Sequence, residues 1–315
     1  MREKQFKNLD EQVDILRHKG LIIRDEKYAK EVLLRENYFF LNGYRHLFVN
    51  KDKTFIKGTT FEELYSLFLF DRHLRNILFK YLLVIENNLK SIFSYQLSKK
   101  YGYKEKDYLK NTNFTTVPEK QAQLNDLLRK MKRQIRVNGS QHSATQHYIS
   151  NYGYVPLWIL VKVLSFGIIG EMYAILKIED QKDIASIYNI DYETMIVYLP
   201  ILSNYRNLCA HEDILYENKT QKDIDDTIYH QLLRVEKVDD YYTQGKHDLF
   251  ALIIILKQLL SKEEFKNMAL EIDNVIETLN YNLNIIKISS VLDRMGFPRN
   301  WKDIVSIERS KDINE

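Results

Sequence analysis

The chain has 315 residues, 45% of them hydrophobic, with a net charge of +3, so it can bury one large core or two or three small ones. That charge is too even to mark the whole molecule as a polyanion binder, and any nucleic-acid surface has to be local. The lone Cys209 excludes an internal disulfide and a Cys-cluster zinc site.

In chain order, Met1 to Asp14 is charged and lacks the apolar run of a secretory signal. Asn8 to Lys19 reads as a short amphipathic helix with Val13, Ile15 and Leu16 apolar and Gly20 as its stop. A second helix starts at Asp25 and runs to about Asn37. Tyr38 to Arg45 is aromatic-rich without clear periodicity, and Asn50 to Thr60 is a loop or small hairpin.

Thr60 with Glu63 forms a capping-box pattern and opens the strongest element. Apolar residues from Leu64 to Phe93 hold helical spacing, and the helix is expected to reach about Lys100. Asp71/Arg75 and Glu86/Lys90 are i, i+4 pairs of favourable polarity. Unbroken, such a helix is on the order of 60 Å long and forms the spine of the fold.

Tyr101 to Val117 is a polar connection, and Pro118 suits the first turn of a helix running to Val137. That helix ends basic, with Arg129, Lys130, Lys132, Arg133 and Arg136. Ser140 to Val155 reads as a second loop, Leu157 to Lys177 as an apolar helix. Ile184 to Tyr188 and Tyr192 to His211 follow. Helices are also expected over Asp223 to Tyr242, His247 to Leu260 and Glu263 to Ser289, the last opened by a Ser261/Glu264 capping box. No repeat or useful strand-like alternation is present, so the fold class is all-α.

The longest uncharged apolar run, Leu249 to Leu256, is far too short to cross a bilayer. The expectation is a soluble, cytoplasmic protein of a reducing compartment, with no membrane contact.

Chemistry concentrates in Arg206-Asn207-Leu208-Cys209-Ala210-His211. It sets a permanently charged guanidinium and an imidazole about one helical turn apart, two groups that metal-free RNA cleavage can use. Bare Arg/His spacing is common by chance, and Arg136 to His142 matches it too. Asn138-Gly139-Ser140 breaks the helix between that second pair. Arg206 follows the apolar segment Met195 to Leu202, and Asn207 shares a face with His211. The competing reading is a polar helix end with a paired Arg.

The basic helix has two readings as well: an RNA-contacting surface, or a solvated helix whose late cations complement its dipole. Glu86 and Lys90 stand as possible supporting residues beside a plain surface ion pair. Gly167 and Gly170 suit close helix packing, and Asp223, Asp225 and Asp226 suit a helix start. His142 and His147 lack companion ligands, so no metal and no cofactor are expected. Tyr38, Tyr44 and the tyrosines of Tyr148 to Tyr154 are candidates to stack on bases.

Several blocks stand in a specific order: Asn37-Tyr38 through Leu41-Asn42-Gly43-Tyr44-Arg45, Phe70 to Arg75, Ile85 to Lys90, Leu157-Trp158, Leu164 to Gly167, and Leu202 to His211. Gly296-Phe297-Pro298 with Asn300-Trp301 follows. By these the chain, over roughly residues 8 to 305, resembles the bacterial abortive-infection AbiD/AbiF family, whose core belongs to the HEPN superfamily of helical ribonucleases. It departs from that pattern at Lys162, where an acidic residue is expected.

The resemblance implies a HEPN-like helical bundle, metal-independent endoribonuclease activity through Arg206 and His211, and a role in phage defence. It also implies RNA as substrate and regulator, a homodimer, and no DNA partner. Three regions are expected: an N-terminal helical and aromatic segment (1–59), the core (60–217, with the basic helix of about 118–137 inserted) and a C-terminal helical region (218–315). Asn207 would orient His211 or donate to phosphate. The alternatives are a non-catalytic RNA-binding or sensing module, and a structural oligomerisation protein.

Overall fold

Asn8 exchanges side-chain and backbone hydrogen bonds with Glu11 and so starts α1 (Leu9–His18). The structure, a computed structural model, describes residues 5–308; the stretch read for a secretory signal begins at Met1–Lys4, outside them. Asp25 caps α2 (Glu26–Glu36) through the Tyr28 N–H at 2.9 Å. The aromatic block becomes the short helix α3 (Tyr38–Gly43) followed by a 3₁₀ turn.

The spine is α4 (Phe61–Tyr101), 41 residues long. Thr60 caps it by accepting the Glu63 N–H, but only half of the expected capping box forms. Glu63 is buried and its carboxylate instead accepts the backbone N–H groups of Asn284 and Ile285, at 2.8 and 2.7 Å. One acid thus ties the start of the spine to a segment more than two hundred positions later.

After α4 come α5 (Glu105–Tyr108) and, behind a 3₁₀ turn at Pro118, α6 (Gln121–Asn138). The segment read as a loop contains a helix, α7 (Ser143–Tyr152). Its sequence hides it: Thr145 is its one buried residue, so no apolar stripe marks it. The His142 ring caps it, and Gly153, at φ +73°, ends it.

The single apolar helix expected from Leu157 to Lys177 is two, α8 (Leu157–Val163) and α9 (Phe166–Ile175). Ser165, in extended conformation, caps the second of them and breaks the run. Next are α10 (Ile178–Ala185) and α11 (Tyr192–His211), capped by Asp191. A Cβ on Gly167 or Gly170 would stand 3.4 Å from Ser203 or 3.5 Å from Leu199, so these glycines let α9 lie close on α11.

The helix expected over Asp223 to Tyr242 does not form. That stretch holds α12 (Ile228–Leu232) and a hairpin of β1 (Lys237–Val238) with β2 (Tyr241–Tyr242), paired antiparallel. Asp239 and Asp240 both take positive φ, the signature of a tight hairpin turn. The acids read as a helix start instead bind neighbours: Asp226 with Lys246, Asp223 with Tyr241 and His247. Then follow α13 (Leu249–Leu259), α14 (Lys262–Asn282) and α15 (Ile288–Met295). The Ser261/Glu264 capping box is complete, whereas the helix it opens ends at Asn282, short of Ser289.

Among the described residues the fold is all-α apart from that hairpin. α8, α11 and α14 pack along α4, and α13 is buried on nearly every face. No helix among the described residues is long and apolar enough to cross a membrane.

Near the end of the chain, Gly296 takes φ +74° directly against Asp248, the buried cap of α13. A Cβ there would fall 1.9 Å from an Asp248 oxygen. Gly296→Ala is therefore expected to cost about 2 kcal/mol, from left-handed strain and a displaced cap. Urea denaturation checks this, and an unchanged midpoint would contradict it.

Candidate functional site

The C-terminal end of α11 is held by a buried network on the spine. Asp71 accepts from Tyr44 Oη at 2.7 Å, from Arg75 at 2.5 Å and from the backbone N–H groups of Leu215 and Tyr216 at 3.1 and 2.8 Å. Arg75 also donates to the Asp213 carbonyl at 3.2 Å. Burial pushes the Asp71 carboxyl up, while Arg75, Tyr44 and the two N–H groups pull it down. Tyr44 is buried as part of this network and cannot stack on a base. The sequence signal for this anchor is the Asp71/Arg75 spacing, which by itself does not say that the pair is buried.

About four turns further along the spine stands a second buried pair. Glu86 and Lys90 meet at 2.7 Å with side chains only 6% and 7% exposed, so the surface ion-pair reading is overturned. Glu86 also accepts from Arg206 Nε at 3.2 Å, and Arg206 lies over the Phe79 ring. Arg206 thereby keeps a fixed stem with its side chain 31% exposed. A guanidinium bound through Nε has its terminal nitrogens available as a fork for an oxyanion.

His211 is exposed, the last residue of α11, immediately before Glu212 at φ +57°. Among the described residues no hydrogen bond or ion pair engages its ring. Five positions on a helix turn about 140° around the axis, so Arg206 faces the spine while His211 faces elsewhere. The imidazole lines an open cleft of about 900 Å³ between α11 and the α2–α3 segment. Arg35, Arg45 and His46 line it too, with the exposed rings of Phe39 and Phe40. Its acids are Glu36, gripped by Arg72 through two hydrogen bonds, and the exposed Glu212 and Asp213.

Asn207 is exposed on the same helix and makes no hydrogen bond to the His211 ring. Cys209 is buried, which pushes its thiol up to about 12, far from a reactive thiolate. Of the other cleft residues, Arg35, Glu36, His46, Glu212 and Asp213 are not singled out from the sequence. Phe39, Phe40 and Arg45 stand in the aromatic, aperiodic block from Tyr38 to Arg45.

On α6, Leu124, Leu127, Leu128 and Met131 face the core, leaving Arg129, Lys132, Arg133 and Arg136 as an exposed stripe. Arg129 pairs with Asp126, and Lys130 with Asp126 and Glu171. Lys132, Arg133 and Arg136 have no acidic partner among the described residues. His142 is spent on capping α7, which separates it from Arg136 in role. Among the described residues no group of three or more His, Cys, Asp or Glu side chains is arranged to hold a metal ion.

A family model described as Abi-like protein matches residues 31–217. That span includes the cleft, the spine, α6 and the whole of α11 with its anchored loop. Comparison with curated proteins and with solved structures gives no match.

Proposed function

The chain belongs to the Abi-like protein family, a membership that supports a role in abortive-infection defence, and from that premise we propose that it is a metal-independent endoribonuclease of HEPN type. The observation that carries the reading is the end of α11. An exposed imidazole without an internal partner sits on a helix terminus fixed by buried charge, one turn from a guanidinium steered by Glu86 and Lys90.

In the reaction, an imidazole takes the proton of the ribose 2′-hydroxyl and the 2′-oxygen attacks phosphorus. The bond from phosphorus to the 5′-oxygen breaks, and that oxygen receives a proton from an imidazolium. The products are a 2′,3′-cyclic phosphate and a 5′-hydroxyl. Arg206 binds the non-bridging oxygens, where negative charge grows, and Asn207 donates to the same phosphate. An imidazole can both accept and donate a proton, which suits both transfers.

One imidazole cannot be base and acid at once. A two-fold homodimer that brings two α11 ends together supplies the second, and two-fold pairing is the commonest closed assembly. The 140° between Arg206 and His211 on one helix favours the same solution, with groups from two chains meeting on one phosphate. The exposed stripe of α6 serves as an RNA-binding face.

The test is cleavage of single-stranded RNA in EDTA with analysis of the ends. Cyclic phosphate ends formed without metal are expected. Ends bearing 3′-hydroxyls, or activity lost on chelation, would sink the reading; RNA bound but never cut would leave a sensing module.

A further inference from the structure

At the far end of the spine from His211, the chain carries a run of exposed aromatic rings that the proposed reaction does not use. Trp158 and Tyr103 lie 5.7 Å apart between ring centres, Tyr103 and Tyr154 5.7 Å, Tyr154 and Tyr152 6.2 Å, and Tyr152 and Tyr148 5.4 Å. Tyr152 is 57% exposed, Tyr103 42% and Trp158 41%. Tyr148 and Tyr154 are half-buried between them, so the row offers open ring faces at Tyr103, Tyr152 and Trp158.

Cations interleave with them. Lys104 stands 4.9 Å over Tyr154 and 5.9 Å from Tyr103. Two residues on, Lys106 joins Arg129, Lys132 and Arg136 around an open cleft of about 730 Å³. Its one acid, Glu105, accepts the backbone N–H of Val155, and Tyr108 donates to the Val155 carbonyl at 2.7 Å. The segment from Tyr103 to Leu109 therefore joins the rings on one side to the basic cleft on the other.

We propose that this lobe is a docking site for single-stranded RNA, separate from the catalytic end, in which bases stack on Tyr152 and Trp158 while Lys104, Lys106, Lys132 and Arg136 follow the phosphates. Choosing RNA as the ligand rests on the nuclease reading above; the surface itself does not. A groove whose Lys106, Lys132 and Arg136 have no acidic partner among the described residues, beside ring faces that accept any base, is what single strands require. A duplex would hide its base faces and use the cations alone. A second copy of this chain would bring the same cations against themselves.

The lobe begins where α4 ends, and the His211 end begins near Asp71. The thirty residues of helix between them span about 45 Å. The site acts as an anchor, holding one part of a strand while another part reaches the cleft beside His211.

The experiment uses the full chain with His211→Ala, so that binding is measured without cutting. Fluorescein-labelled single-stranded RNA and a duplex of equal length are titrated by anisotropy at several salt concentrations. Tyr152→Ala/Trp158→Ala is expected to weaken single-strand binding on the order of 10- to 100-fold without changing its salt slope. Tyr152→Phe keeps the ring and should bind as before. Lys132→Gln/Arg136→Gln should lower the slope by about 0.7 for each lost contact.

Ring variants that bind like the parent chain, a duplex that suffers the same loss, or a change of oligomeric state in light scattering would each overturn the dock. Ring-dependent binding by a chain that never cuts RNA would overturn the nuclease reading and leave the dock standing. Cutting with ring-independent binding would do the reverse.

Discussion

His211→Ala is expected to cut RNA about 10²- to 10⁴-fold more slowly than the parent chain, the usual loss when a general acid or base is removed, with no change in thermal stability. The second half of that expectation is as specific as the first. The ring is exposed and unbonded among the described residues, so its removal leaves no cavity and no orphaned group. Arg206→Lys is expected to be poor as well, because an ammonium on a flexible stem cannot hold Glu86 and still present a fork to phosphate. Single-turnover cleavage and a melting curve check both. Mixing wild-type chains with excess His211→Ala chains then separates a shared site from a private one. A shared site loses activity per wild-type chain as mixed dimers form; a private one tracks the number of wild-type chains.

The legible parts of this fold are the ones whose physics is local. The spine, α11 and α14 carry apolar residues at helical spacing, and their caps at Thr60, Asp191 and Ser261 stand in the sequence. Where a helix buries almost nothing, as α7 does, periodicity has no purchase. Where carboxylates choose between a helix dipole and distant cations, the outcome depends on tertiary placement. Asp226 found Lys246 and Asp223 found Tyr241, so the expected helix gave way to a hairpin.

The candidate site divides the same way. The Arg206 to His211 segment is readable from residue types and spacing. That Glu86 is buried and bridges Lys90 to Arg206 is not, since an i, i+4 pair looks alike on the surface and in the interior. Tyr44, legible as an aromatic beside a basic residue, is a donor to a buried carboxylate. The cleft beside His211 depends on residues from three segments, the outer two some 170 positions apart in the chain, and no local pattern announces it.

Asp71→Ala is expected to destabilise the chain by about 3–5 kcal/mol, because it leaves the Arg75 charge buried without its counter-ion. The backbone N–H groups of Leu215 and Tyr216 lose their acceptor too, each a buried donor worth about 1–3 kcal/mol when orphaned. Replacing both charged residues, as Asp71→Leu/Arg75→Met, removes the unpaired charge and should recover the part of the loss that this charge causes, since buried ion pairs exchange for apolar pairs at little net cost. The two N–H groups stay unsatisfied in that double variant, and the chain after α11 loses its tether. Stability and activity should therefore part company: urea denaturation places the double variant well above Asp71→Ala, while RNA cleavage stays low in both. The reason is positional, as Asp71 grips residues 215 and 216 just beyond His211 and so fixes where the imidazole stands. Full recovery of cleavage in the double variant would show that the buried charge serves stability alone. A loss under 1 kcal/mol in the single variant would mean that Arg75 finds another partner in its place.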